Sequence, residues 1–255
     1  MKIIVCGCFG RMGEVVCKLA AENPGTEVVA GVDLPEFAKA KPSFPVYRNI
    51  NEFTAQADAI INFMPPTAEA DMLAVLDYGV KRGIPMVICT TGMPLQVETA
   101  ITNAAQKAAV LRSGNMSMGI NLLANLLKRI SPLLHESGFD IEIIEKHHNQ
   151  KLDAPSGTAL LLADSINTAM EEKMQYVNDR SATHAKRTRD EIGFHAIRGG
   201  TIVGEHSIVF AGHNEVIELK HSAQSREVFA VGALKAAEFL QKKSHGLYTM
   251  QDLME

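Results

Sequence analysis

Residues 2–16 read KIIVCGCFGRMGEVV. Lys2–Cys6 is a short, β-branched apolar run of the kind that forms a buried strand. Glycines follow at Gly7, Gly10 and Gly13, and helical spacing begins at Glu14. A strand, a glycine turn and a helix start in that order let backbone approach a phosphate closely, with the helix N-terminus aimed at it. The spacing is G-x-x-G-x-x-G; Phe9 stands where the second glycine of G-x-G-x-x-G would fall. Glycines of this kind can also serve only tight strand–helix packing. The context favours dinucleotide binding, because the loop forms the first strand–helix turn and Asp33 ends the second apolar run twenty residues after Gly13. An acid there can accept hydrogen bonds from a ribose 2′-hydroxyl.

The same alternation continues outward from this loop. Glu27–Asp33, Ala59–Phe63, Met86–Cys89 and Ala109–Arg112 read as buried strands, and Thr67–Lys81 and Glu98–Ala109 carry helical spacing. After about residue 115 the pattern changes. Gly119–Leu134 is an amphipathic helix, with Leu122, Leu126, Ile130 and Leu133 near one stripe. A strand over 140–146, a helix from Ser156 to Met170 and three consecutive strands over 192–198, 201–210 and 215–222 follow, the last three read as a meander. The polar segment from Met174 to Asp190 reads as a loop, and Arg226–Lys243 as a closing helix. The expected fold is α/β: a Rossmann-like doubly wound parallel sheet with a second α+β domain containing an open mixed sheet. The expected division is 1–116 plus 227–255 for dinucleotide binding, and 117–226 for substrate binding and assembly.

Bulk properties narrow the function classes. A net charge of −4 gives no positive field for nucleic acid. No apolar run approaches the roughly 18–20 residues of a membrane span, and the apolar start is too short for a signal peptide. Cys6, Cys8, Cys17 and Cys89 have neither C-x-x-C nor zinc-finger spacing, so they read as reduced thiols of a cytoplasmic protein.

The second stretch that could carry chemistry is EKHHNQKLDAPSGTAL, residues 145–160. Adjacent residues at a strand end point to opposite faces, so His147 and His148 diverge, which argues against a metal site. Ser156 suits an N-cap, and Gly157 and Thr158 begin a helix whose free N–H groups attract an anion. Lys151 supplies a counter-charge, and a histidine titrates near neutrality, as a proton donor must. Glu145 and Asp153 read as structural or solvated. By spacing alone the stretch could still be a surface loop beside a capped helix.

GRMG at 10–13, TTG at 90–92, GNMSMGIN at 114–121, EKHHNQKLDAPSGTAL and RGGTIVGEH at 198–206 occur in the order found in dihydrodipicolinate (4-hydroxy-tetrahydrodipicolinate) reductases. The chain resembles that family over nearly its whole length, and the HH-x-x-K-x-D-A-P-S-G-T stretch is the most specific part. The resemblance implies reduction of a ring dicarboxylate at C4 by a nicotinamide hydride, in lysine and diaminopimelate synthesis. It implies His147 as proton donor, with Lys151 assisting and contacting substrate. His148 would also contact substrate, and Gly157 and Thr158 would hold a carboxylate. Gly7, Cys8, Phe9, Gly10, Arg11 and Met12 would wrap the pyrophosphate, and Asp33 the adenosine ribose. Cys89, Thr90 and Thr91, with Ser113, Gly114, Asn115 and Met116, would approach the nicotinamide end. A homotetramer is also implied.

Cys89, Ser113 and Met116 depart from the glycine, alanine and phenylalanine common in relatives. Leu34 replaces an arginine often found in them, and Pro65 one found in some. Leu34, Pro35 and Glu36 carry no positive charge, which favours NADH over NADPH; Arg11 and Lys39 are the cations that would serve a 2′-phosphate. Two alternatives compete with this reading. A different Rossmann-fold dehydrogenase, such as an aspartate or homoserine dehydrogenase relative, would not need the 147–158 constellation. A nucleotide sensor would need no positioned His147 and Lys151.

Overall fold

The computed structural model describes residues 1–38, 42–181 and 184–254, so Lys39 lies outside the described residues. The chain divides into two units, Met1–Met118 with Arg226–Glu255, and Gly119–Ser225.

In the first unit the chain runs β1 (Lys2–Cys6), α1 (Arg11–Glu22), β2 (Glu27–Val32), β3 (Val46–Tyr47), β4 (Ala59–Asn62), α2 (Glu69–Arg82), β5 (Met86–Ile88), α3 (Leu95–Ala105) and β6 (Ala109–Arg112). After the second unit it returns with α6 (Glu227–Leu240) and β12 (Gly246–Tyr248). The seven strands form one parallel sheet in the order β12-β6-β5-β4-β1-β2-β3. Its central strands are apolar on both faces because both are covered. Ile4, Ile60, Met86 and Val110 pack with α2 and α3, while Ile3, Val5, Ile61 and Val87 pack with α1 and α6. This is the doubly wound arrangement, with strand order reversing at β1, so the loop after β1 opens at the crevice where such sheets bind ligands. β3 and β12 are short edge strands whose sequences carry too few residues to show alternation.

The second unit contains α4 (Met118–Glu136, its first residue still in the first unit), β7 (Asp140–His147), α5 (Gly157–Ala169), β8 (Gln175–Val177), β9 (Glu191–Arg198), β10 (Gly204–Gly212) and β11 (Glu215–Ala223). Its mixed sheet has the order β11-β10-β7-β9-β8. β7 pairs antiparallel with β10 and parallel with β9. One face is packed by Leu123, Ala124 and Leu127 of α4 and Leu162, Ala163 and Ile166 of α5, against Ile141, Ile143, Phe194, Ile208 and Phe210.

Three expectations are corrected here. The last strands are not a meander: β10 and β11 form a hairpin, but β7 lies between β9 and β10. The Gly199-Gly200 turn therefore crosses the end of β7, with Gly199 N–H donating to the His147 carbonyl at 2.9 Å and Gly200 at φ +49°. The segment from 174 to 190 is not all loop, since β8 adds a strand at the sheet edge. In α4 the expected stripe faces outward: Leu122, Leu126 and Leu133 are 61%, 40% and 64% exposed, and only Ile130 touches the core. Ile120, Leu123, Ala124 and Leu127 form a second apolar stripe, and that is the one buried. Helical periodicity identifies both stripes and cannot choose between them.

Candidate active site

The glycine loop in the first unit is fixed by close backbone approach. Gly7 has φ +76° and donates to the Val32 carbonyl at 2.8 Å. A Cβ on Gly7 would lie 2.9 Å from Phe63 backbone, and one on Gly13 only 2.0 Å from the Gly7 carbonyl oxygen. Gly10 is the N-cap of α1 and brings no side-chain oxygen to the first-turn N–H groups. Asp33 orders the loop: its carboxylate accepts from Phe9 N–H and Leu34 N–H, each at 2.8 Å. Cys8 contributes backbone only, for its side chain is buried against Gly31 and burial pushes the thiol up to about 12. This glycine turn and helix start at the switch point of a parallel sheet fit a dinucleotide pyrophosphate.

Further along the sheet, Thr90 is buried and donates to the Met64 carbonyl at 2.7 Å, while Thr91 is exposed. Burial raises the Cys89 thiol, leaving it a neutral packing group. Ser113 donates to the Asn115 carbonyl at 2.8 Å and accepts from Asn115 N–H at 3.2 Å, closing a tight turn with exposed Gly114 between them. The Met116 side chain is 2% exposed and belongs to the core beside α6, whose Gly232 has no room for a Cβ against the Met116 carbonyl.

In the second unit β7 alternates strictly between inward and outward residues. Ile141 and Ile143 occupy the inward face, and the same period carries Glu145 and His147 onto it. Glu145 is fully buried. Its Oε2 accepts from His147 Nδ1 at 2.6 Å and Arg198 Nη1 at 2.7 Å, and its Oε1 from Arg198 Nη2 at 2.6 Å and Ser156 N–H at 3.1 Å. Burial raises the Glu145 carboxyl, but the hydrogen bonds and charges of Arg198 and His147 win and hold it below the usual range. Burial also pushes His147 down from its ordinary value. The hydrogen bond and charge of Glu145 oppose this, and Lys151 and Arg198 add to the lowering.

His206 stands across the strand pair from Glu145, with its ring edge-to-face with His147 at 5.2 Å. Its Nε2 is 2.9 Å from Ser156 Oγ, which also accepts from Ala159 N–H at 3.2 Å and so caps α5 as expected. Burial lowers His206 to about 3, so it is neutral. His148, on the other side of the strand, is half-buried. Lys151 reaches Asp153 Oδ1 at 2.9 Å. Burial would raise the Asp153 carboxyl, but Lys151 and the backbone N–H groups of Asp153 and Gly157 hold it low. An internal carboxylate thus already sits on Lys151, near the start of α5. Gly157 is exposed with open space around its Cα, and Thr158 is half-buried.

The structure therefore brings His147, Lys151, Gly157 and Thr158 to one end of β7 and α5, and it adds two residues without an assigned role, Arg198 and His206. Glu145, read as structural or solvated, is buried and structural. Its signal was the strand alternation itself, since a carboxylate in register with Ile141 and Ile143 must be buried and must find cations. Among the described residues there is no cluster of three or more metal-ligating side chains, and no helix is long and apolar enough to cross a membrane.

A doubly wound parallel sheet with a glycine turn at its switch point, and a mixed-sheet unit with a buried His147–Glu145 pair, fit the class of two-unit, nicotinamide-dependent oxidoreductases. The family model for the N-terminus of dihydrodipicolinate reductase matches residues 1–116, and that for its C-terminus residues 119–254. The chain belongs to the dihydrodipicolinate reductase family. It is 51% identical over 255 residues to a 4-hydroxy-tetrahydrodipicolinate reductase of Caldanaerobacter subterraneus subsp. tengcongensis, covering 100% of this chain and 98% of that one. A 4-hydroxy-tetrahydrodipicolinate reductase of Clostridium tetani is 44% identical over 254 residues, covering 100% and 97%. Among solved structures, the dipicolinate-bound dihydrodipicolinate reductase from Paenisporosarcina sp. TG-14 superposes with a TM-score of 0.80 at 22% identity, over 99% of this chain and 98% of that one, which supports the fold.

Proposed function

We propose that this chain reduces dihydrodipicolinate (4-hydroxy-tetrahydrodipicolinate) to tetrahydrodipicolinate, with His147 giving the proton that accompanies the hydride. A bound nicotinamide supplies that hydride, to C4 of the ring. The observation that carries the reading is a buried His147 held by Glu145 beside Lys151 and the start of α5. Lys151, Gly157 and Thr158 bind a substrate carboxylate, displacing Asp153 from Lys151, and His148 contacts substrate. A doubly anionic substrate also raises the His147 pKa toward neutrality and so favours the acid form when it is needed.

Gly7, Cys8, Phe9, Gly10, Arg11 and Met12 offer the pyrophosphate mainly backbone. Cys89, Thr90, Thr91, Ser113, Gly114, Asn115 and Met116 border the nicotinamide end, Met116 through its backbone. NADH is preferred over NADPH. The Asp33 carboxylate, already ordering Phe9 and Leu34, accepts a 2′-hydroxyl and repels a 2′-phosphate. Arg48, 4.0 Å from Glu36, shares its charge with that carboxylate. Residues 117–226 bind substrate and join subunits into a homotetramer, a role supported by β11, a nine-residue edge strand that is mostly exposed.

The test is loss of NADH absorbance with freshly generated dihydrodipicolinate, repeated with NADPH. Turnover with a higher kcat/KM for NADH is expected, and no turnover with either cofactor would refute the reading. His147→Gln lowers kcat about 100-fold or more while NADH affinity is retained.

A further inference from the structure

The Glu145 carboxylate has no water-facing surface and accepts four hydrogen bonds, two of them the parallel pair that a guanidinium makes with a carboxylate. A carboxylate so clamped has no proton to donate. The 2.6 Å contact with His147 is therefore made by Nδ1–H, and His147 Nε2 is the nitrogen that gains and loses a proton. Beside Nε2 the chain has a glycine: a Cβ on Gly204 would come within 3.1 Å of it.

We infer that Glu145 and Arg198 are a positioning pair that fixes the His147 tautomer and aims Nε2 at the reacting atom, neither of them touching substrate. The inference rests on His147 being the proton donor. In the reaction the Nε2–H bond breaks, the proton goes to the substrate carbon that holds the electron pair left by hydride addition, and the N–H electrons remain on Nε2. Solvent then restores that proton, and the Nδ1–H···Glu145 bond persists throughout. The same pair aligns the rest of the site. Arg198 Nη2 also donates to the Asp153 carbonyl at 2.7 Å, tying down the loop that carries Lys151, and Ser156 N–H ties the start of α5 to Glu145. One buried carboxylate thus holds the proton donor, the counter-ion loop and the anion-binding helix end in register.

The charged and titratable groups around His147 are Glu145 on its own strand, Arg198 on β9, His206 on β10 with His221 beyond it on β11, and Lys151 with Asp153 in the loop. Among the described residues only Glu145 accepts from its ring, so removing that carboxylate frees the ring to flip tautomer and leaves the cations to disfavour its acid form.

The test uses the full chain with ¹⁵N-labelled histidine, and His147→Gln to assign the His147 imidazole. In the neutral wild type, Nδ1 should carry the proton; a predominant Nε2–H form would overturn the inference. Glu145→Gln should lower kcat about 100-fold. It should move the alkaline limb of the kcat–pH profile to lower pH and change NADH affinity less than about twofold. A folded variant with unchanged kcat and pH profile would overturn the inference while leaving the proposed reaction intact. Absence of turnover by the wild type would instead refute the reaction and leave the tautomer result standing. Because Glu145→Gln leaves the half-buried Arg198 guanidinium without its carboxylate, the double variant Glu145→Gln/Arg198→Met serves if the single one does not fold, with the same outcomes deciding.

Discussion

Gly13→Ala sets two known effects against each other. Gly13 lies in the first turn of α1, where replacing glycine by alanine should stabilise the helix by up to about 1 kcal/mol. The new Cβ, however, would stand 2.0 Å from the Gly7 carbonyl oxygen and 2.7 Å from the Cys8 Cα. Both neighbours are backbone, and no side chain can swing away. Restoring an ordinary 3.4 Å contact requires the helix start and the loop to part by about 1.4 Å. Overpacking of this kind costs about 1–3 kcal/mol, so sterics outweighs propensity. The larger effect falls on the cofactor. A parting of that size breaks hydrogen bonds from the loop and helix start to a phosphate, each worth about 1.5–3 kcal/mol. Loss of two, about 3–6 kcal/mol, weakens NADH binding by at least about a hundredfold. Fluorescence titration of NADH measures this, with thermal unfolding as the stability control. Gly10→Ala is the internal comparison, because its Cβ would meet the Gly7 oxygen at 3.2 Å, a contact relieved by a few tenths of an ångström. A Gly13→Ala protein that binds NADH like the wild type would refute the close-approach account of the loop.

Two further expectations concern the second unit. His206, lowered by burial from 6.5 to about 3, stays neutral in the fold while the unfolded chain takes up a proton below pH 6.5. Its contribution is therefore complete above pH 6.5 and is lost as pH falls toward 3, by up to about 1.4 kcal/mol per pH unit. Urea midpoints from pH 4 to 7 should fall less steeply in His206→Gln; equal slopes would exclude it. Asp153→Ala should lower the KM for the dicarboxylate about two- to fivefold. It removes a competing anion whose half-exposed pairing with Lys151 is worth about 0.2–1 kcal/mol. A raised KM would instead make Asp153 a part of the substrate site.

What could be read without a structure was local or periodic. The strand–glycine–helix start at 2–16 contains its own explanation, because neighbouring residues make both the turn and the helix end. Ser156 could be assigned as a cap for the same reason, and its Oγ accepts from Ala159 N–H. Misreadings arose where the deciding partner is remote in sequence. α4 carries two apolar stripes, and only the sheet it packs on selects Leu123 and Leu127 over Leu122 and Leu126. The strand alternation that buries Glu145 was visible, but its cation, Arg198, is 53 residues away.

The amino-acid order by itself determined the alternating strand–helix unit, the phosphate-ready glycine turn and the residue types for proton transfer and anion binding. Each of these follows from φ/ψ preference, period or intrinsic pKa over a few residues. Only the tertiary structure decided that β7 is inserted between β9 and β10. That pairing sets Arg198 beside His147 and His206 beside Glu145. Strand order is a non-local choice, made by which apolar faces can be buried together, and the environment of His147 is a consequence of it.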